Sequence, residues 1–329
     1  MKQEISLYIH IPFCVRKCLY CDFLSAPATE ETQKAYGRAV CQEIQNYKKS
    51  LLMKNLGVSE EQEEFIVTSV FLGGGTPSLI CGEEIAAILN ELRHKLHFSE
   101  DVEITIECNP GTVNEEKLNC YRKAGVNRLS FGLQSANNEE LKKLGRIHTW
   151  EDFLESFSLA RKLGFSNINM DMITGLPGED ISHVRGTLKE IFEMRPESLT
   201  VHSLAIKRAA HLNMEMEKYQ ELVKGSTNEM LRAVDAACTD MGMLPYYMYR
   251  QKNIPGNLEN IGYSLPGKEC LYNILIMEEK QDIISCGAGA STKYVFPEEN
   301  RIERTENVKN IDHYINRIDE MIDRKRKYL

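Results

Sequence analysis

The sequence lacks the features that mark membrane-spanning and secreted proteins. It has no run of about eighteen apolar residues, so no membrane-spanning helix is expected. The N-terminus, MKQEISLYIHIPF, has no charged start followed by a long apolar stretch and a small-residue cleavage site, and is not expected to be a signal peptide. The ten cysteines are therefore expected to be reduced thiols in the cytoplasm, not a disulfide framework.

An excess of basic residues is also missing. The formal net charge is −8 at pH 7, whereas a general nucleic-acid or anionic-membrane binder is usually basic. The one basic run, DRKRKYL at residues 323–329, ends an amphipathic helix and is interpreted as a solvated helix end. We therefore expect neither nucleic acid nor a membrane among the partners.

What the sequence does contain is an alternation of short β-rich runs with helical stretches. Six strand candidates are ISLYIHI (5–11), VTSVFLGG (67–74), VEITIEC (102–108), NRLSFGLQ (127–134), NINMDMI (167–173) and SLTVHSL (198–204). Helix candidates lie near 30–50, 82–97, 114–124, 137–163 and 180–194. This alternation predicts a mainly parallel α/β sheet, either open and doubly wound or closed as a barrel.

The pattern changes in the last third of the chain. A helical region (213–242) precedes a stretch rich in glycine, proline and asparagine (251–269). Two short strand-like runs, LYNILIM and DIISCG, follow, and then a final helix whose apolar side chains share one face, as expected for core packing. We place the core domain at residues 1–225 and a small α+β extension, covering the mouth of the core, at 226–329.

Three cysteines stand within eight positions, Cys14, Cys18 and Cys21, and the next one, Cys41, is twenty residues further on. Clustered free thiolates in a cytoplasmic protein indicate metal or redox chemistry. A structural zinc and a cubane iron–sulfur cluster both use four ligand positions, so three cysteines leave one position open for a substrate. Zinc with a distant fourth ligand, or cysteines that merely fill the core, are the alternatives. Tyr20 and the strand before the first cysteine disfavour both.

Glycine or polar residues stand at the carboxyl ends of the strand candidates, where the active site of a parallel barrel gathers. In chain order they are Gly73 to Pro77 (GGGTP), Glu107, Gln134, Arg146 just beyond the fourth strand, Asp171 and, after the sixth strand, Ala205. Glycines there let backbone N–H groups approach a ligand closely. Polar groups at successive strand ends, beside a three-thiol loop, predict one common site.

The spacing C-x3-C-x2-C after the first strand, with an aromatic residue before the last cysteine, resembles the radical S-adenosylmethionine (SAM) enzymes. The resemblance implies that Cys14, Cys18 and Cys21 bind a 4Fe-4S cluster whose remaining iron is chelated by the amino and carboxylate groups of SAM. It also implies that one electron cleaves SAM to methionine and a 5′-deoxyadenosyl radical, which takes hydrogen from a substrate. A flavodoxin- or ferredoxin-type protein is the electron donor that this chemistry implies.

Further motifs, YIHIPFC, GGGTP, FGLQS, LGRIH and GLPGE, are together similar to the oxygen-independent coproporphyrinogen III oxidase family, which also contains the heme chaperones. The family uses a partial (β/α)6 TIM-like barrel, which favours the barrel over the open sheet. The resemblance implies that the SAM on the cluster is held by Tyr8, Gly74, Glu107 and Ala205. It implies that an adjoining, second SAM pocket is lined by Tyr20, Gly75, Thr76, Gln134, Arg146 and Asp171.

Two branches of this family compete. Up to about residue 165 the chain is most similar to the heme chaperones, and from NINMDMITGLPGED onward it is similar to the coproporphyrinogen dehydrogenases. The chaperone motif His-Asn-x-x-Tyr-Trp has no counterpart at Asn273 to Glu278, where neither His nor Trp occurs. The oxidases carry an N-terminal extension, and this extension has no counterpart in the seven residues before Tyr8.

The lead hypothesis is an enzyme that decarboxylates two propionates of coproporphyrinogen III to give protoporphyrinogen IX. The alternative is a carrier that binds heme, for which His10, His148 and His202 are candidate axial ligands. Radical SAM chemistry on another substrate is the residual interpretation.

Either tetrapyrrole is acidic, so a chain of charge −8 needs local positive groups at the site. Lys207 and Arg208 directly follow the sixth strand, and Arg250 and Lys252 lie in the C-terminal segment. We expect at least two of these four residues to bind propionates at the mouth of the barrel.

Replacing Cys14, Cys18 or Cys21 by Ala should abolish the iron–sulfur absorbance, because each thiolate is expected to bind one iron. Replacing Cys41, Cys81 or Cys238 should leave the absorbance unchanged. The measurement is the visible spectrum, with iron and sulfide content, after anaerobic reconstitution. A further cysteine of equal importance would leave no open iron and would contradict the SAM assignment.

Overall fold

The computed structural model describes residues 3–21, 23–52, 65–176, 178–204, 227–249 and 260–326. Its strands are β1 (Gln3–Ile11), β2 (Phe65–Gly74), β3 (His97–Cys108), β4 (Arg128–Gln134), β5 (Ile168–Thr174), β6 (Ser198–Ser203), β7 (Leu244–Tyr249), β8 (Asn260–Ser264), β9 (Asp282–Cys286), β10 (Ser291–Phe296) and β11 (Arg301–Glu306). The six strands predicted up to residue 204 all form.

The helices in these ranges are α1 (Glu30–Leu52), α2 (Gly82–Lys95), α3 (Glu115–Lys123), α4 (Asn138–Lys143), α5 (Trp150–Lys162), α6 (Ile181–Met194), α7 (Thr227–Asp240), α8 (Leu271–Glu278), α9 (Ile311–Asn316) and α10 (Ile318–Arg326). Of the helical region predicted at 213–242, the part before residue 227 lies outside the described residues, as does the predicted domain boundary at residue 225. None of the described helices has the length and apolar character needed to cross a membrane.

All the described strands belong to one sheet, in the order β11-β10-β9-β1-β2-β3-β4-β5-β6-β8-β7. Strands β1 to β6 are parallel, as the alternation predicted, and β9 pairs in parallel with the free side of β1. Antiparallel strands from the C-terminal segment complete both edges: β10 and β11 beyond β9, and β8 and β7 beyond β6.

The two faces of the sheet differ in polarity because successive side chains on a strand point to opposite faces. On β4, for example, Leu129, Phe131 and Leu133 belong to the main hydrophobic core together with residues of the surrounding helices. The alternate residues of the same strand, Arg128 and Ser130, are polar and buried on the opposite face. One face of the sheet is therefore covered by helices, and the other encloses polar groups.

Helix α8 shows that the sheet curves into a partial barrel. This helix contacts both β2 and β7, which are separated by five strands in the sheet order. In a flat sheet those two strands would be about 29 Å apart, whereas a helix of eight residues is about 12 Å long. The sheet must therefore wrap around the helix.

The position of α8 corrects a prediction, because LYNILIM is a helix and not a strand. Its N-terminal N–H groups, from Leu271 and Tyr272, donate to the carboxylate of Glu103 at 3.0 and 3.4 Å. The Tyr272 ring stacks on Tyr8 and Phe71, with centroids 5.8 and 4.7 Å away. A short apolar run cannot be assigned from periodicity alone, and here a carboxylate from a distant strand favours the helix.

Two helices predicted as continuous are interrupted. The region predicted as one helix at 137–163 forms α4 and α5, because Gly145 adopts φ +72° and Thr149 begins a new helix through a capping box with Asp152. The final helix is likewise divided at Arg317 into α9 and α10. Its apolar stripe is buried, which confirms the prediction of core packing.

A buried ion pair attaches α10 to α1 and the sheet. Glu43 and Lys325 are 1% and 2% exposed and form a salt bridge. The Glu43 carboxylate also accepts hydrogen bonds from Gly287 N–H (3.0 Å), the Asn307 amide (2.9 Å) and the Tyr314 hydroxyl (2.5 Å). The interpretation of DRKRKYL as a solvated helix end is therefore wrong for Lys325.

Replacing Lys325 by Ala should lower the free energy of unfolding by about 3–5 kcal/mol, because it leaves the Glu43 carboxylate buried without its cation. The matched control is Arg324→Ala, which removes a surface pair with Glu320 and should cost less than about 1 kcal/mol. Urea unfolding followed by circular dichroism measures both. Equal losses in the two variants would show that the buried pair adds no stability.

Candidate active site

A loop containing the three predicted cluster cysteines follows β1. Its base is closed by backbone hydrogen bonds from Cys14 N–H to Ala26 (3.2 Å) and from Ala26 N–H to Pro12 (3.0 Å). Its far side is attached to the turn after α4, because Leu19 N–H donates to the Leu144 carbonyl at 3.1 Å. The loop is therefore held by the end of β1 on one side and by the α4–α5 connection on the other.

The GGGTP segment after β2 lies directly against the start of this loop. Gly75 N–H donates to the Ile11 carbonyl (2.8 Å), and Thr76 N–H donates to the Phe13 carbonyl (2.7 Å). A Cβ atom at Gly75 would lie 2.7 Å from the Phe13 oxygen, so a side chain there would force the two segments apart. The Thr76 hydroxyl oxygen is 3.3 Å from the Cys14 sulfur.

These segments surround a cavity of about 300 Å³ at the carboxyl ends of the parallel strands, the end where active sites of such barrels lie. The predicted site residues that line it are Cys14, Cys18, Tyr20, Cys21, Gly74, Gly75, Thr76, Glu107, Gln134, Arg146 and Asp171. The structure thus brings together all but two of the predicted cluster and SAM residues.

The remaining predicted residues are Tyr8, Ala205 and the four that were assigned to the substrate. Tyr8 is not among the lining residues: its ring packs against both Phe71 and Tyr272, and its hydroxyl is 3.0 Å from Nδ1 of His10. Ala205, together with Lys207, Arg208, Arg250 and Lys252, lies outside the described residues, so these predictions stay open.

Two carboxyl groups give the cavity its acidic character. Glu107, at the end of β3, accepts a hydrogen bond from Gly74 N–H at 3.0 Å. Burial, with a smaller contribution from the charge of Asp171, raises the pKa of Glu107 to about 8. Burial also raises the pKa of Asp171, whose carboxylate accepts a hydrogen bond from the Asn169 amide at 2.7 Å. A cationic ligand in the cavity would favour the ionised form of both groups.

Arg146 connects the far wall of the cavity to the cysteine loop. Its Nη1 donates to the Tyr20 hydroxyl (3.4 Å) and lies 3.7 Å from the Cys18 sulfur. Its Nη2 donates to Asn109 Oδ1 (2.5 Å) and the Gly132 carbonyl (2.7 Å). The interruption between α4 and α5, which the sequence did not predict, is what places this guanidinium beside the thiols.

The three histidines considered as heme ligands occupy different environments. His148 is buried, its Nε2 lies 3.3 Å from the Leu133 carbonyl, and burial lowers its pKa to about 3. His10 is also buried, and its ring lies under Gly74, where a Cβ atom would be 2.5 Å from it. Among the three, His202 alone lines the cavity.

Sequence reasoning missed several lining residues. Asn109 is two residues beyond Glu107, so the rule about strand ends could have found it. Asn260 could not be found in this way, because it lies on β8 and reaches the cavity through the antiparallel pairing with β6, where its Oδ1 accepts from Ser203 N–H at 3.0 Å.

The family model of the radical SAM superfamily matches residues 8–191, more than half of the chain, and the protein belongs to that superfamily. Within it, the chain belongs to the family of the HemW and HemZ proteins. It is 40% identical to the oxygen-independent coproporphyrinogen-III oxidase-like protein HemZ of Bacillus subtilis, over 100% of this chain and 65% of that protein. It is 34% identical to the heme chaperone HemW of Escherichia coli, over 92% of this chain and 73% of that protein.

A solved structure supports the fold. The coproporphyrinogen III oxidase HemN of Escherichia coli, described as a radical SAM enzyme, superposes with a TM-score of 0.71 at 24% identity, over 97% of this chain and 70% of that chain. The predicted α/β fold with a partial TIM-like barrel is confirmed. The chain spans less than two thirds of the length of the HemZ relative.

Membership in the superfamily implies a 4Fe-4S cluster and SAM, and the lining residues fit both groups. Among the described residues no three His, Cys, Asp or Glu side chains converge as ligands of a single ion, but in a cubane each thiolate bonds a separate iron. Three buried polar atoms of the lining, Ser25 Oγ, Arg146 Nε and Ser203 Oγ, have no hydrogen-bond partner among the described residues. The two carboxyl groups suit the amino group and sulfonium charge of SAM.

The affinity for SAM should rise by about tenfold between pH 7 and pH 9 if Glu107, with a pKa near 8, must be ionised to attract the cation. The sign follows because higher pH converts the neutral acid into the carboxylate. Glu107→Gln should bind SAM more weakly and should lose this part of the pH dependence. Equilibrium dialysis of the anaerobic, cluster-loaded protein measures both, and an unchanged profile in the variant would assign the titration to another group.

Proposed function

We propose that the protein is a radical SAM enzyme that converts coproporphyrinogen III to protoporphyrinogen IX without oxygen. The observation that carries the proposal is that three thiols, the glycine-rich backbone of GGGTP and two poorly neutralised carboxyl groups line one common cavity. Cleavage of SAM would use all of these groups, whereas the binding of heme requires an axial ligand and an apolar pocket.

When bound, a 4Fe-4S cluster and SAM would supply one-electron chemistry that removes a hydrogen atom from the substrate. Each propionate that loses a hydrogen atom, CO2 and one electron becomes a vinyl group. For each propionate one electron enters the reaction and one leaves it, so the electron balance requires no oxygen. A flavodoxin- or ferredoxin-type protein is the proposed source of the entering electron.

The residues of this chain bind and orient these reactants. Cys14, Cys18 and Cys21 provide the three thiolates, while Glu107 and the Gly74 backbone hold the polar end of SAM. Arg146 fixes Tyr20 and the Cys18 side of the loop through its hydrogen bonds. The cavity is enclosed by strand ends and by the loop, and this enclosure limits the access of water to a reactive centre.

The proposal also includes a second SAM molecule. The Asn169 amide nitrogen donates to the Asp171 carboxylate and, at 3.0 Å, to the Ser130 hydroxyl. The Asn169 amide oxygen accepts from the Thr200 hydroxyl at 3.1 Å. This chain of hydrogen bonds runs across β4, β5 and β6 and keeps the Asp171 carboxylate on the cavity wall. Asp171 and Gln134 are the residues that we assign to the second molecule.

The competing function is a heme carrier, and the position of His202 favours it. Of the three histidine candidates this one alone lines the cavity, and the HemW relative is described as a heme chaperone. In a carrier, His202 would supply an axial nitrogen to the iron of heme. His202→Ala should then remove heme binding and leave the cluster unaffected.

The decisive experiment supplies the anaerobic, cluster-loaded protein with dithionite, SAM and coproporphyrinogen III, and identifies the products by chromatography and mass spectrometry. We expect methionine, 5′-deoxyadenosine and tetrapyrroles in which propionates have become vinyl groups. Cys18→Ala, which should lose the cluster, is the matched control. Stoichiometric heme binding that depends on His202, without cleavage of SAM under any reductant, would replace the enzyme with the carrier.

A further inference from the structure

The mouth of the cavity carries an unusual concentration of exposed apolar side chains. Val15, Phe23 and Ile147 line the cavity and are 55%, 57% and 46% exposed. Single exposed hydrophobic residues are ordinary, but a group around one opening marks a binding surface. Two of these residues belong to the cysteine loop, and the third belongs to the turn between α4 and α5.

The same rim is positively charged. Arg16 and Lys17 follow Val15 directly and also line the cavity. Arg16 donates one hydrogen bond, to the Gly145 carbonyl at 2.9 Å, which holds its stem against the α4–α5 turn. Within the described part of the chain, neither cation is paired with a carboxylate. These two positive groups give the rim a local positive charge, although the net charge of the chain is −8.

The size of the cavity decides what can lie at this rim. The cluster and the SAM molecules assigned to this cavity would take up its volume of about 300 Å³, which is at the lower end of the range for small-molecule sites. A tetrapyrrole macrocycle is therefore placed outside the cavity, with one propionate directed inward. An apolar macrocycle with carboxylates on its periphery needs an apolar surface with cations at its edge.

We propose that the cysteine loop itself is the docking surface for the tetrapyrrole. The macrocycle lies on Val15, Phe23 and Ile147, and Arg16 and Lys17 bind propionates that remain outside the cavity. The proposal rests on the proposed function and specifies its substrate site, since a ring held there presents one propionate to the opening. The loop then serves both cofactor and substrate.

The test measures the affinity of the cluster-loaded protein for coproporphyrin III, a stable oxidised analogue of the substrate, by anaerobic equilibrium dialysis. The double variant with Arg16→Gln and Lys17→Gln should bind about tenfold more weakly, because two charge-assisted contacts are lost. Phe23→Ser should weaken binding by a similar factor through the loss of apolar contact. Iron content and the visible spectrum establish that the cluster is unchanged in each variant.

A matched ligand and matched variants separate charge from apolar contact. The methyl ester of coproporphyrin III has no carboxylates, so it should be insensitive to the Arg16 and Lys17 changes but still sensitive to Phe23→Ser. Two control variants, Arg185→Gln and Phe192→Ser, alter an exposed cation and an exposed aromatic residue of α6 that do not line the cavity. Both variants should bind coproporphyrin III with the affinity of the unaltered protein.

The possible failures are distinguishable. An unaltered protein that binds neither coproporphyrin III nor heme would refute the proposed function itself. Full affinity for coproporphyrin III in the loop variants would refute only this docking surface. If those variants keep the affinity but cleave SAM with dithionite and not with reduced flavodoxin, the rim serves an acidic redox partner instead, and the substrate proposal is overturned.

Discussion

The close contact between the glycine-rich end of β2 and the end of β1 is the constraint on which the site depends. Two backbone hydrogen bonds, to the carbonyls of Ile11 and Phe13, fix the point from which the cysteine loop departs. They form only because Gly75 has no side chain, since any Cβ atom would meet the Phe13 oxygen. The position of Cys14, and with it one side of the proposed cluster site, follows from this contact.

A second constraint is electrostatic. The carboxyl groups of Glu107 and Asp171 are placed where burial disfavours their charge, and nearby cations offset that cost only in part for Asp171. Such a site favours the amino group and the sulfonium charge of SAM. The buried carboxyl groups and the basic rim therefore place groups of opposite charge at two depths of one opening.

Much of this arrangement could be predicted from the sequence, because it follows rules of short range. Alternating patterns located the six parallel strands, and polar residues at their carboxyl ends located Glu107, Gln134 and Asp171. The cysteine spacing located the loop. These predictions succeed because the carboxyl ends of parallel strands meet at one edge whatever the details of packing.

Features that depend on distant partners could not be predicted in this way. Helix α8, around which the sheet curves, is favoured by Glu103, which lies far away in the sequence. The burial of Lys325 requires Glu43, and the approach of Asn260 to the cavity requires the antiparallel pairing of β8 with β6. Tyr8, predicted from family resemblance to contact SAM, stacks on an aromatic pair that only the folded barrel assembles.

The pairing of β1 has a consequence for the biogenesis of the protein. This strand leads directly into the cysteine loop, yet one of its two neighbours is β9 (residues 282–286), which lies far along the chain. During translation β1 can pair with β2 before β9 exists, and its other edge stays open until β9 has been synthesised. The strand that carries the loop thus reaches its final environment only after residues 282–286 have been made, so the proposed cluster cysteines reach their native positions no earlier than that point.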